Sequence, residues 1–308
     1  MLGTRTFTAS LLFAAATLSF SAPPEYFPLQ TGNSWVYKGA SRLSARAPQT
    51  IDVQGTERFR DQEYLRVGFL GRTVFLRTAE TGIKVFNTTA STESTWLSFD
   101  SPEGRSFPVE MEQCTRAAKI ESRATKITTP AGEWDNALHL TFEQSCADAG
   151  LTQMYLVPGV GIAMYETTSF AGPVRYELIY SRAGSTAAEA PQTAFTVALD
   201  APTYKAAESL DLLIRLTVRS FEPITLTFPS SQRHDLRIWN DKGEIVYAWS
   251  ADKLFAQVLT REQVGPGERT FAFVANVPNL PVGRYVTEAW LSTQSREFVG
   301  TLGFEVVR

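Results

Sequence analysis

Apolar and polar residues alternate one by one along most of this chain. Residues 50–56 (TIDVQGT), 63–69 (EYLRVGF), 72–77 (RTVFLR), 83–86 (IKVF), 95–99 (TWLSF), 118–128, 137–142 (ALHLTF) and 175–180 all show it. A period of two puts every second side chain on one face, the signature of a strand with one buried side. Between these runs lie turn formers: Gly32-Asn33, Glu80-Thr81-Gly82, Asp100-Ser101-Pro102-Glu103-Gly104, Pro130-Ala131-Gly132 and Pro158-Gly159-Val160-Gly161. Their left-handed or fixed backbone angles suit tight connections between neighbouring strands. No long stretch repeats apolar residues at helical spacing. The pattern predicts an all-β chain, with residues 22–182 forming a curved antiparallel sheet or partial barrel.

Composition shifts over residues 183–194 to Ala, Gly, Ser, Glu, Pro and Gln, which predicts a linker without a folded element of its own. Alternation resumes at Phe195. Leu212, Ile214, Leu216 and Val218 share one face of a strand, and Ile224, Leu226 and Phe228 repeat the arrangement. Further runs fall at 270–275, 284–292 and 298–307. Leu236-Arg237-Ile238-Trp239 and Ile245-Val246-Tyr247-Ala248-Trp249 flank Asn240-Asp241-Lys242-Gly243-Glu244, a hairpin signal. Seven or eight short strands over residues 195–308 predict an immunoglobulin-like β-sandwich. Trp239 and Trp249 are expected in core or cross-strand packing, and Trp290 on the face opposite Ala289 and Leu291.

At the start, Arg5 precedes an apolar run from Phe7 to Phe20, and Ser19-Phe20-Ser21 offers small residues for cleavage. The run is short for a membrane span. It predicts a signal peptide over residues 1–21 and a secreted or periplasmic protein, with no integral membrane segment after cleavage. Cys114 and Cys146 are the two cysteines, and in an oxidising compartment they are expected to form one disulfide. The net charge of −3 is spread over both halves, residues 195–308 holding 12 basic and 13 acidic side chains. Neither half has the cationic excess that a phosphate backbone requires, which argues against nucleic acid as a partner.

Catalytic chemistry finds little support. His139 alternates with Leu138 and Leu140 and reads as structural. His234 adjoins Asp235, with Ser230 and Ser231 nearby, but adjacent strand residues point to opposite faces and cannot form a Ser-His-Asp relay. Glu110/Glu112 and Glu133/Asp135 read as solvated pairs rather than glycosidase carboxylates. No catalytic residue, metal or cofactor is assigned.

The segment from Ser230 to Leu259 resembles the BsuPI-type intracellular proteinase inhibitors of bacteria. The resemblance rests on Ser230-Ser231-Gln232-Arg233-His234-Asp235, the hairpin, Trp249-Ser250 and Phe255-Ala256-Gln257. Pro266-Gly267-Glu268 and Gly283-Arg284-Tyr285 reinforce it. Where the family commonly has Val-Trp-Arg-Trp-Ser, this chain has Val246-Tyr247-Ala248-Trp249-Ser250. The start of the mature chain, FPL-x-x-G-N-x-W-x-Y, resembles unassigned secreted bacterial proteins. The BsuPI resemblance implies an immunoglobulin-like binding module whose partner is another protein, a serine proteinase being the leading form. A non-inhibitory cell-envelope scaffold stands second and a hydrolase third. The sequence marks no braced inhibitory loop. The expected contact loops are Ser230, Ser231, Gln232 and Arg233, and Pro266, Gly267 and Glu268, which are polar, lie at strand ends and border or contain Pro.

Overall fold

A computed structural model of the chain describes residues 25–41, 45–110, 114–190, 195–220 and 223–308. The signal peptide expected over residues 1–21, the second carboxylate of the Glu110/Glu112 pair and part of the linker lie outside them. The described residues are strands and their connections.

Six strands follow one another as hairpins: β1 (Ser34–Ser41), β2 (Ala45–Phe59), β3 (Gln62–Phe69), β4 (Arg72–Ala79), β5 (Gly82–Asn87) and β6 (Thr92–Ser98). A second series comprises β7 (Ser106–Pro108), β8 (Thr115–Thr129), β9 (Gly132–Gln144), β10 (Leu151–Val157), β11 (Gly161–Thr167) and β12 (Val174–Ala183). The first strand pairs with the twelfth, giving the antiparallel order β6-β5-β4-β3-β2-β1-β12-β11-β10-β9-β8-β7. The two ends, β6 and β7, come close together, so the sheet is nearly closed. Inside it, Phe27 packs on Trp35 at 4.9 Å and on Trp96 at 5.9 Å between ring centroids. The Trp35 indole N–H donates to the carbonyl of Val160 at 2.5 Å. Gly161 is required there. Its φ is +103°, and a Cβ would stand 2.5 Å from the Trp35 nitrogen.

The expected linker contains a strand, β13 (Thr186–Glu189), which pairs with Tyr180–Ala183 of β12. The reason is local. The eleventh strand pairs only with the first half of β12, Val174 to Glu177, so the second half has an open edge. Residues 186–189 fold back across Gly184 and fill it.

The remaining strands are β14 (Phe195–Leu199), β15 (Thr203–Lys205), β16 (Ser209–Ser220), β17 (Ile224–Phe228), β18 (His234–Asn240), β19 (Ile245–Ala248), β20 (Thr260–Val264), β21 (Gly267–Pro278), β22 (Gly283–Leu291) and β23 (Val299–Val307). They form a sheet β14-β16-β21, a sheet β15-β23-β22-β18-β19 and a two-stranded ribbon β17-β20. Among the described residues there are ten strands where seven or eight are expected. The excess includes the three-residue β15, parallel to β23, which the alternation pattern is too short to register. Leu212, Ile214, Leu216 and Val218 are fully buried, facing Leu236, Ile238, Ala289 and Leu291 across the sandwich.

The five-stranded sheet buries its outer face as well. Trp239 and Trp290 point away from the sandwich core, and Trp290 packs with Val36, Tyr180 and Val299 against the large sheet. Glu288 lies among them with no solvent exposure. Its carboxylate accepts from Tyr180 Oη at 2.9 Å, Trp239 Nε1 at 3.2 Å and Ser34 Oγ at 3.4 Å, and pairs with Arg296 at 3.3 Å. The Arg182 guanidinium covers Trp239 at 4.7 Å, and that of Arg296 covers Trp290 at 3.8 Å. Arg237 donates to the carbonyl of Gly32 at 2.9 Å. Burial pushes the Tyr180 phenol well up and the Arg182 and Arg237 guanidiniums down. One carboxylate therefore ties residues from both sheets into a shared, water-excluded junction.

Candidate protein-contact site

The site grows out of the β18–β19 hairpin. Asn240 builds its turn: the side-chain oxygen accepts from the backbone N–H of Lys242 at 3.0 Å and Glu244 at 2.9 Å, an Asx arrangement closed by Gly243 at φ +74°. After Ala248 the chain leaves the sheet in two short steps. Trp249 N–H donates to the carbonyl of Leu236, and Lys253 N–H to that of Ser250 at 3.1 Å. Ser250 Oγ donates to Asp235 at 2.7 Å, anchoring the first step. The ammonium of Lys253 donates to the carbonyl of Trp249 at 2.7 Å and sits 4.6 Å above that indole ring.

Residues 253–259 have no regular structure, yet the run is held from both ends. Ser231 N–H donates to the carbonyl of Ala256 at 2.8 Å, and Ala256 N–H donates back to Ser231 Oγ at 3.0 Å. Phe255 turns inward, its ring 6.0 Å from Trp249. Leu254 turns outward with a relative exposure of 101%, and Val258 and Leu259 are more than half exposed. This is a short, irregular, largely apolar segment tied at Lys253 and Ala256, and it turns tightly at Gln257, where Val258 N–H donates to the carbonyl of Ala256 at 2.9 Å. The expectation that no loop is braced is therefore corrected. Leu254 carries no sequence signal of its own, because an apolar residue inside the run Leu254-Phe255-Ala256-Gln257-Val258-Leu259 reads as core.

The expected contact residues divide between two places. Ser230, Ser231, Gln232 and Arg233 adjoin the pinned segment and mainly support it. Arg233 pairs with Glu262 at 2.5 Å, donates to the carbonyl of Ser230 and lies 4.7 Å from the Phe228 ring. Glu262 also takes Arg269 at 2.6 Å. Gly267 and Glu268 belong to β21 and not to a loop, and Glu268 pairs with Arg219 across the sheet at 2.6 Å. In the β17–β20 ribbon Phe228 faces Thr260 while Ile224 faces Val264. The two expected loops thus sit at opposite ends of that ribbon, and one small patch does not contain both.

The histidines serve packing. His139 stacks on Tyr155 at 4.2 Å, and burial lowers its pKa. His234 stacks on Phe273 at 3.7 Å with Trp249 beside it at 4.6 Å, while its neighbour Asp235 bonds Ser250. Neither Ser230 nor Ser231 bonds His234, so Ser, His and Asp do not form a relay.

Burial holds His234 down to about 4. A histidine that charges more easily when unfolded weakens the fold as pH falls. Stability is therefore expected to be full above pH 6.5 and to drop between pH 6.5 and 4, with a ceiling of about 3 kcal/mol that residual solvent contact reduces. Urea midpoints measured across this range should fall for the parent. The fall should be smaller in His234→Phe, which keeps the stack without the titration, His139 contributing the remainder. Equal slopes would refute the assignment.

No curated protein matches the chain. Among solved structures, the extracellular domain of a one-component system from B. thetaiotaomicron aligns at 11% identity and a TM-score of 0.15, over 83% of this chain and 31% of that one. This chain thus spans about a third of that structure's length, and the alignment carries no argument. Residues 197–296 match the family described as BsuPI, intracellular proteinase inhibitor. The match takes in most of the sandwich, the hairpin and the whole pinned segment, and so the C-terminal module is similar to the BsuPI proteinase inhibitors.

Proposed function

We propose that this chain is an exported bacterial protein whose C-terminal sandwich binds and inhibits a serine proteinase. The observation that carries the reading is the coincidence of the BsuPI match with a hydrogen-bonded, solvent-exposed apolar segment inside it. An inhibitor must present its contact segment without losing much freedom on binding, and the ties at Lys253 and Ala256 reduce that loss. The leader over residues 1–21 and the Cys114–Cys146 bridge support export to an oxidising compartment. The large N-terminal sheet holds the five-stranded sheet from behind, on the face away from the sandwich core.

The test is residual activity of a panel of serine proteinases on short peptide substrates, titrated with the full chain. One or more enzymes should lose activity in proportion to added protein. Full activity of every enzyme at a large excess of the chain would leave the scaffold reading in first place. Mass analysis of the protein recovered from the cell envelope is expected to show cleavage near Ser21.

A further inference from the structure

We propose that Leu254 is the side chain that enters the proteinase, filling an apolar primary-specificity pocket, an inference that rests on the inhibitor reading above. Three observations point to it. First, Leu254 is fully exposed, whereas both neighbours, Lys253 and Phe255, turn back onto Trp249. A single leucine projecting from a pinned backbone is shaped for a concave pocket rather than a flat surface.

Second, the backbone N–H and C=O of Leu254 make no hydrogen bond to another described residue. They are available for strand-like pairing with the walls of a cleft, the usual way an extended peptide is held. The fixed points lie one residue before it and two residues after it, so the presented conformation needs little ordering on binding.

Third, the chemistry of the run selects the pocket. Residues 254–259 carry no charge, and the Lys253 ammonium just before them is committed to Trp249 and Asp252. An acidic pocket, which takes Arg or Lys, has nothing here to receive. A basic pocket, which takes a carboxylate, is equally unmatched. The occupant is therefore the cleft of an endoproteinase of the chymotrypsin or subtilisin specificity type, with Val258 and Leu259 adding apolar contact downstream.

The experiment measures inhibition constants of the full-length parent, Leu254→Ala and Leu254→Arg against subtilisin, chymotrypsin and trypsin, with melting temperatures as a control. The parent should inhibit at least one of the first two and leave trypsin active. Leu254→Ala should weaken that inhibition by about 100-fold, the scale on which a pocket separates side chains differing by a few methylenes. Leu254→Arg should lose it and gain inhibition of trypsin. Melting temperatures should not move, since the side chain touches nothing. If the parent inhibits subtilisin or chymotrypsin and both variants do so equally well, Leu254 is not the anchor although the inhibitor reading survives. If the parent inhibits trypsin and the variants match it, the apolar-pocket assignment falls. If the parent inhibits none of the three, this inference falls, and the wider panel decides the inhibitor reading.

Discussion

Replacing Glu288 with alanine is expected to lower the unfolding free energy by about 3–5 kcal/mol, the scale seen when one partner of a buried ion pair is removed. The carboxylate has no contact with solvent and four groups around it: Tyr180, Trp239, Ser34 and Arg296. Its loss leaves a guanidinium without its counter-charge and three polar hydrogens without an acceptor, in a place where water does not compensate them. Two of the four, Ser34 and Tyr180, belong to the N-terminal sheet, so the effect reaches beyond the sandwich. Glu288→Gln, which keeps the shape and one of the two acceptor oxygens but neither the charge nor the second acceptor, should cost less than alanine. Urea unfolding followed by tryptophan fluorescence reports directly, because Trp239 and Trp290 flank the site. An alanine variant within about 0.5 kcal/mol of the parent, the scatter of ordinary surface changes, would contradict this account of the junction.

Removing the Cys114–Cys146 bridge should cost about 3–4 kcal/mol by the loop-entropy argument. The bridge joins residues 32 apart whose Cα atoms lie 5.1 Å from each other. It closes the open end of the long β8–β9 hairpin, where Thr115 already pairs with Gln144 and Ser145 N–H donates to the carbonyl of Cys114. The native hairpin holds these ends together without the bond, so the gain falls mainly on the unfolded chain. A double Cys→Ser variant should therefore keep the strand spectrum of the parent while its urea midpoint falls. An unchanged midpoint would show that the unfolded chain is not constrained by the bridge.

Much of this architecture is legible in the sequence because alternation survives wherever one face is wet or faces a single core. Leu212, Ile214, Leu216 and Val218 are fully buried as their spacing requires. The hairpin at Asn240–Glu244 follows from turn chemistry alone. Trp290 lies opposite Ala289 and Leu291 as expected, but the reason it is buried is not legible: its face of the sheet meets the other half of the chain. Glu288, between Thr287 and Ala289, looks like a solvated strand residue, and only the three-dimensional junction makes it an internal anchor. The strand at Thr186–Glu189 escapes notice because its partner edge is created by the early end of β11. Leu254 escapes for a different reason. Periodicity reports burial only inside regular elements, and the pinned segment has none.

The central claim is that the sandwich occupies the active-site cleft of a proteinase. It is tested most directly by calorimetric titration of the full chain into one susceptible enzyme, free or with its cleft already filled by a tight peptidic inhibitor. The account predicts one-to-one binding to the free enzyme and none to the filled one. Equal binding to both would contradict it, since the contact surface would then lie outside the cleft.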